Sequence, residues 1–225
     1  MARGASANAR GKDGNVPLVI AGYIYTGPYQ EGPPHSFELF QLLLDHGANV
    51  NAADYNGNTA LISVAAAGDV RAAKLLLAKG ARLDARSHDG TTALMAAASS
   101  DVEIVQFLLA KGARVNDSDH EGVTPLMAAT SSSQEGGDYT SPDIVKFLLA
   151  HGADVNARDK NGATALIYAA MMSAADEQSI VETMKILLSA GADVKARTKN
   201  GNTALKWAKV TGKFAVARLL QRAGA

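Results

Sequence analysis

One phrase returns six times along this 225-residue chain, always in register: a turn closing on Gly, a residue two positions later that is usually Thr, then Ala or Pro, then Leu. It reads Asp13-Gly14-Asn15-Val16-Pro17-Leu18, Asn56-Gly57-Asn58-Thr59-Ala60-Leu61 and Asp89-Gly90-Thr91-Thr92-Ala93-Leu94. It goes on as Glu121-Gly122-Val123-Thr124-Pro125-Leu126, Asn161-Gly162-Ala163-Thr164-Ala165-Leu166 and Asn200-Gly201-Asn202-Thr203-Ala204-Leu205. The turn glycines are separated by 43, 33, 32, 40 and 39 residues, a base period near 33 with three lengthened units. A repeat of this length decides the architecture before any local reading does. Each unit is one supersecondary element that cannot bury its apolar faces alone, so units must stack. Such an array has no single deep core and no obvious catalytic cleft; its asset is extended surface.

Each unit has three parts. Asn-Gly and Asp-Gly turns come first, because both positions tolerate positive φ. A short Ala-rich helix follows, then a longer helix with apolar residues at helical spacing, such as 102–110. The longer helix closes on a second recurring phrase: Gly47-Ala48-Asn49-Val50-Asn51, Gly80-Ala81-Arg82-Leu83-Asp84, Gly112-Ala113-Arg114-Val115-Asn116, Gly152-Ala153-Asp154-Val155-Asn156 and Gly191-Ala192-Asp193-Val194. Capping boxes are expected at Ser100/Glu103 and Ser179/Glu182, an N-cap at Ser141 before Pro142, and another at Asp69. The Gly of the second phrase is expected to end each helix in a left-handed conformation.

Gly-x-Thr-Ala/Pro-Leu, the paired leucines and Gly-Ala-x-Val-Asn together resemble the ankyrin repeat across essentially the whole chain. The resemblance implies an all-α ankyrin solenoid of helix-turn-helix units with β-turn or hairpin fingers. The chain departs from the family's pattern at the position after Leu, where the usual His is replaced by Val19, Ile62, Met95, Met127, Ile167 and Lys206. One domain over 1–225 is expected, with repeats at about 11–53, 54–86, 87–118, 119–158, 159–197 and 198–225. Residues 4–10 match 152–158 at five of seven positions, so 1–10 are expected to be the tail of a truncated upstream repeat. The last unit, with Lys206, Lys209, Lys213, Arg218 and Arg222, breaks the apolar pattern and is expected to be a terminal cap with a polar face.

Composition removes several function classes. There is no Cys, which excludes disulfides, thiolate metal sites and thiol catalysis and fits a reducing compartment. No apolar run resembles a signal peptide or a membrane span. Phosphate-loop, His-Glu-x-x-His and Gly-x-Ser-x-Gly motifs are absent. We therefore expect a cytoplasmic, monomeric, non-catalytic protein with no cofactor and no metal. The formal charge is zero, yet 195–225 hold eight basic residues and no acidic one.

Binding residues are sought in two places. The lengthened units carry their extra residues between the two helices, at about 23–36, 132–141 and 172–179, where insertion costs little closure entropy. The first insert clusters Tyr23, Tyr25 and Tyr29 among prolines and glycines, and Tyr offers large contact area at low entropic cost. Those rings either form a binding edge or cover the first repeat. Tyr139 is a weaker candidate in the fourth unit. The second place is the one the resemblance implies, a concave surface of turn tips and first helices. Carried onto this chain it offers Tyr55, His88, Asp89, Asp119, His120, Glu121, Lys160 and Lys199. His88 and His120 stand at equivalent positions of adjacent units, but a shared metal there is disfavoured. His46 and His151 are expected to interact with helix dipoles, and Trp207 to lie in the core. The leading expectation is a module that binds a protein or peptide of unknown identity through the concave face and inserted loops. The alternatives are a regulatory or targeting segment of a larger protein and a polyanion-binding adaptor acting through the basic last unit; nucleic acid and membrane are disfavoured as partners.

Overall fold

In four of the six repeats a side-chain oxygen at the first position of the turn brackets the finger's backbone; in the third Asp89 takes the Thr91 amide instead, and the first has Gly11 at that position. Asp54 Oδ1 accepts from Asn56 N at 2.9 Å and Asn58 N at 2.8 Å. Asp119 does the same for Glu121 N and Val123 N, both at 2.8 Å, and Asp159 for Asn161 N at 2.8 Å and Ala163 N at 2.7 Å. In the sixth repeat Thr198 Oγ1 takes the amide of Asn202 at 3.1 Å. A carboxylate accepting two amides satisfies donors that the turn would otherwise leave to water. Gly57 adopts φ +79°, and a Cβ built there would lie 2.7 Å from the backbone N of His88. Only Gly fits, because the next finger's backbone comes this close.

After each finger comes the short helix, capped in four repeats by the motif's Thr; the first repeat has Val16 at that position. Thr59, Thr92, Thr124 and Thr203 accept from the amides of Ile62, Met95, Met127 and Lys206. Thr164 also starts a short helix, but its buried hydroxyl makes no hydrogen bond among the described residues. The longer helix ends on a left-handed Gly, for example Gly152 at φ +85°, whose amide bonds the Leu149 carbonyl at 3.1 Å.

The computed structural model describes residues 6–24, 36–134, 137–139, 141–172 and 177–225, with backbone alone at 24, 36, 132–134 and 137–139. Its contacts fall into two compact units, Met1–Ala113 and Arg114–Ala225. The first unit holds α1 (Pro17–Ile24), α2 (Ser36–Asp45), α3 (Ala60–Ala66), α4 (Val70–Ala78), α5 (Ala93–Ala98) and α6 (Val102–Ala110). Its short helices α1, α3 and α5 pack side by side, and α2, α4 and α6 form a second row against them. Small residues make the first row close: Ala65, Ala97 and Ala98 are fully buried. Between the rows lie Leu18, Leu61, Leu94, Phe40, Leu76 and Leu108, each buried and each worth about 1.5–3 kcal/mol of transfer free energy.

The second unit holds α7 (Pro125–Ala129), β1 (Ser132–Gln134), β2 (Gly137–Tyr139), α8 (Pro142–Ala150), α9 (Ala165–Met171), α10 (Glu177–Ser189), α11 (Ala204–Val210) and α12 (Phe214–Arg222). α7, α9 and α11 make the first row, and α8, α10 and α12 the second. Its core is Leu126, Leu166, Ile144, Leu148, Ile180, Leu187 and Leu220. The insert of the fourth repeat is an antiparallel hairpin pairing Ser132 with Tyr139 and Gln134 with Gly137.

Neighbouring repeats are tied by an asparagine clamp. Asn51 Nδ2 donates to the Gly80 carbonyl at 3.1 Å, and its Oδ1 accepts from Arg82 N at 2.8 Å. Asn8 clamps Gly47 and Asn49 in the same way, Asn116 clamps Gly152 and Asp154, and Asn156 clamps Gly191 and Asp193. Each clamp satisfies a carbonyl left free at a helix end.

Several expected caps are corrected. Asp101, not Ser100, caps α6, because its carboxylate reaches the Glu103 amide at 2.7 Å. Ser141 occupies the N-cap of α8 without a side-chain cap bond. Ser179 lies inside α10, which begins two residues earlier, so no capping box forms there. Glu177 instead reaches across to the next repeat, where its Oε1 accepts from Ala215 N at 2.9 Å. That bond supplies what Lys213, a donor at the N-cap of α12, cannot; the buried Lys213 ammonium donates to the Ala170 carbonyl at 3.1 Å. His46 and His151 place Nδ1 2.8 Å from the Leu42 and Phe147 carbonyls near the ends of α2 and α8. Trp207 is half-buried, and its indole N–H is sealed from solvent without an acceptor among the described residues.

Candidate binding surface

Neighbouring finger tips are joined by short backbone bonds, one in the first unit and two in the second among the described residues. His88 N donates to the Asn56 carbonyl, Lys160 N to that of Glu121 and Lys199 N to that of Asn161, each at 2.7 Å. This bond fixes the spacing of the tips and sends the side chains of His88, Lys160 and Lys199 into solvent, where all three are exposed.

In the first unit the tips and α1 present apolar surface. Ile20 and Tyr23 lie three residues apart on α1, hence on one helical stripe, and are 38% and 43% exposed, while Leu18, Val19 and Ala21 are buried. Tyr55, at the tip of the second finger, is 63% exposed. Tyr23 is held toward that finger: its hydroxyl accepts from Asn58 Nδ2 at 2.9 Å and donates to Asp54 Oδ2 at 3.4 Å. Burial, and then the Asp54 carboxylate, push the Tyr23 phenol above its ordinary pKa, so it stays a neutral donor. Beside it a shallow groove of about 480 Å³ is lined by Asn56, Asn58, Ser87, His88 and Asp89. Asp89 is exposed but anchored. Its carboxylate accepts from the Ser87 hydroxyl and from Thr91 N at 3.1 Å, and the Ser87 hydrogen bond leads the causes that lower its pKa.

In the second unit the acidic candidates divide. Asp119 is half-buried and spends Oδ1 inside its own turn. Glu121 is exposed and pairs with Lys160 at 3.6 Å, a contact worth at most about 1 kcal/mol at such exposure. His120 is exposed. His88 and His120 fall in different compact units. Among the described residues no group of three or more His, Cys, Asp or Glu is placed to hold a metal, and no helix is long and apolar enough to cross a membrane. Tyr25 and Tyr29 lie outside the described residues, as does the side chain of Tyr139.

The structure adds residues that sequence reading missed. Ile20 was legible: with Tyr23 it stands on the one α1 stripe left over once Leu18, Val19 and Ala21 turn inward. Asn56 and Asn58 were hidden within a turn phrase whose polarity is common to every turn. Val210 and Phe214, in the last repeat, were obscured by the basic residues around them.

A family model described as ankyrin repeats (3 copies) matches residues 65–158, 117–182 and 138–225, and a second, described as ankyrin repeats (many copies), matches 34–77. No curated protein matches the chain. The two rows of helices, the bracketed fingers and these matches lead to one conclusion: the chain belongs to the ankyrin repeat family, whose members are generally protein–protein interaction modules and typically non-catalytic.

Proposed function

We propose that the chain is a non-catalytic module that binds a protein or peptide partner through its fingers and first helices, centred on the first unit. The observation that carries this reading is the exposure of Ile20, Tyr23 and Tyr55 beside the groove between the second and third fingers. Aromatic side chains with an apolar body and a polar tip are the typical anchors of protein interfaces. Tyr23 is already fixed by Asn58 and Asp54, so ordering it on binding costs little. Asp89 and the free ring of His88 edge the groove and favour a partner that brings hydrogen-bond donors or positive charge. Glu121, Lys160 and Lys199 form a secondary polar contact set on the second unit. The reading treats the chain as one repeat domain, monomeric and acting in the cytoplasm, in keeping with a sequence free of cysteine.

Photo-crosslinking tests this reading. A benzophenone amino acid placed at position 55 should crosslink a discrete partner in a lysate of the source organism, and one placed at Lys74 on α4 should not. Equal crosslinking from both positions, or none from position 55, overturns it.

A further inference from the structure

The last repeat presents a face unlike that of any other. Its first helix carries Lys206, where the five earlier repeats have Val19, Ile62, Met95, Met127 and Ile167, all buried. It carries Lys209, where three earlier repeats have Ala65, Ala98 and Ala170, all fully buried. Lys206 and Lys209 are both exposed. A further repeat of the same kind packed there would cover two ammonium groups where the others bury apolar side chains, at a desolvation cost.

A purely solubilising cap would stop at that. This one also displays Phe214 and Val210, 73% and 70% exposed, more than any other large hydrophobic residue among the described residues. The two sit four residues apart, at the start of α12 and the end of α11. Arg218 follows Phe214 by one helical turn, and Arg222 follows Arg218 by another; both are exposed. None of Lys206, Lys209, Arg218 and Arg222 joins a salt bridge among the described residues. By contrast Lys79, Lys146, Arg158 and Lys160 are all paired with carboxylates. No acidic residue occurs anywhere in 195–225 to pair with them. Met171, the counterpart of Val210 in the fifth repeat with another repeat packed beside it, is 40% exposed, less than Val210 but not covered.

We propose that this face is a second docking surface, separate from the fingers, for an acidic peptide segment with an apolar anchor. The anchor covers Phe214 and Val210, and carboxylates on either side pair with Lys206, Lys209 and Arg218. An apolar centre with a charged rim is the usual anatomy of a specific interface. A polyanion without bases, such as heparin, would engage the cations but leave the exposed ring unused, and a single-stranded nucleic acid would find one exposed ring rather than a ladder for successive bases.

Selection from a random 12-residue peptide display library tests the proposal. Wild-type chain should enrich sequences that combine Asp or Glu with Leu, Ile, Phe or Trp. Fluorescence anisotropy of the leading peptide should then show at least a ten-fold loss of affinity with Phe214→Ser, and a comparable loss with the Lys206→Glu/Lys209→Glu pair. All substituted side chains are exposed, and helical circular dichroism should confirm that the variants fold. Peptides without an acidic bias, no enrichment on the wild type, or unchanged affinity with Phe214→Ser overturn the proposal. If heparin or single-stranded DNA binds as tightly as the peptide and ignores Phe214→Ser, the face is a polyanion site instead.

Discussion

The asparagine clamp gives a sharp prediction about what couples one repeat to the next. Asn156→Ala removes two hydrogen bonds to the fifth repeat, Nδ2 to the Gly191 carbonyl at 3.0 Å and Asp193 N to Oδ1 at 2.7 Å. A net hydrogen bond contributes about 0.5–1.5 kcal/mol, so two contribute about 1–3 kcal/mol. Asn156 is exposed, so water re-solvates the freed groups and the lower half of that range applies, about 1–2 kcal/mol. For a cooperative unit near 100 residues this lowers Tm by roughly 5–10 °C. The second repeat supplies the reciprocal experiment. Asp84 holds the clamp position there, and a carboxylate has no donor for the Gly112 carbonyl. Asp84→Asn supplies it and should stabilise by about 0.5–1.5 kcal/mol, since the bond it weakens, Arg82 Nε to Asp84 Oδ1 at 3.3 Å, is well exposed and worth little. Urea unfolding followed by circular dichroism measures both changes, and hydrogen exchange at the Asp193 amide reports the clamp directly. If Asn156→Ala leaves both the unfolding midpoint and the Asp193 exchange rate at wild-type values, the clamp does not hold the repeats together.

The Thr caps separate by their hydroxyls: Thr92→Val should cost about 1 kcal/mol, while Thr164→Val, which removes a buried hydroxyl without a partner, should be neutral or stabilising in the same thermal scans. Leu148→Ala, at a site with no solvent exposure, should cost about 2–5 kcal/mol in urea titrations, and an unchanged midpoint would place Leu148 outside the core. Asp89 has a depressed pKa, so the contribution of its Ser87 and Thr91 bonds is full above the unfolded aspartate pKa of about 3.9 and is lost as pH falls through the lower folded value. The Thr91 amide shift followed by NMR should therefore titrate with a midpoint below that of a free aspartate, and a midpoint at or above it contradicts the hydrogen-bond geometry.

The repeat, its fingers and its helix ends were legible because each rests on a local rule. Asn-Gly and Asp-Gly name the turn, Thr two residues on names the cap, and Gly-Ala-x-Val-Asn names the helix end. The misplaced caps share one cause. Ser100 and Asp101 are both good caps, and which of the two is used depends on where the preceding turn delivers the chain. Ser179 lost its role because Glu177 extends the helix to reach the neighbouring repeat, a contact 38 residues away in sequence. The candidate surface was legible only in part. Tyr55 and His88 could be placed from the turn alone, but Asp119 turned inward to bracket its own finger, a use of the carboxylate that composition does not reveal. The exposed pair Val210 and Phe214 required knowing which faces of α11 and α12 remain uncovered.

The claim that a partner is held by the fingers and first helices of the first unit is tested most directly by affinity capture from a lysate of the source organism. Wild-type chain should be run beside an Ile20→Ser/Tyr55→Ser variant, since both positions are exposed, Ile20 by 38% and Tyr55 by 63%. The account predicts a discrete protein retained by the wild type and lost by the variant, with circular dichroism unchanged between the two. A partner retained equally by both would contradict it and move the binding surface elsewhere on the chain.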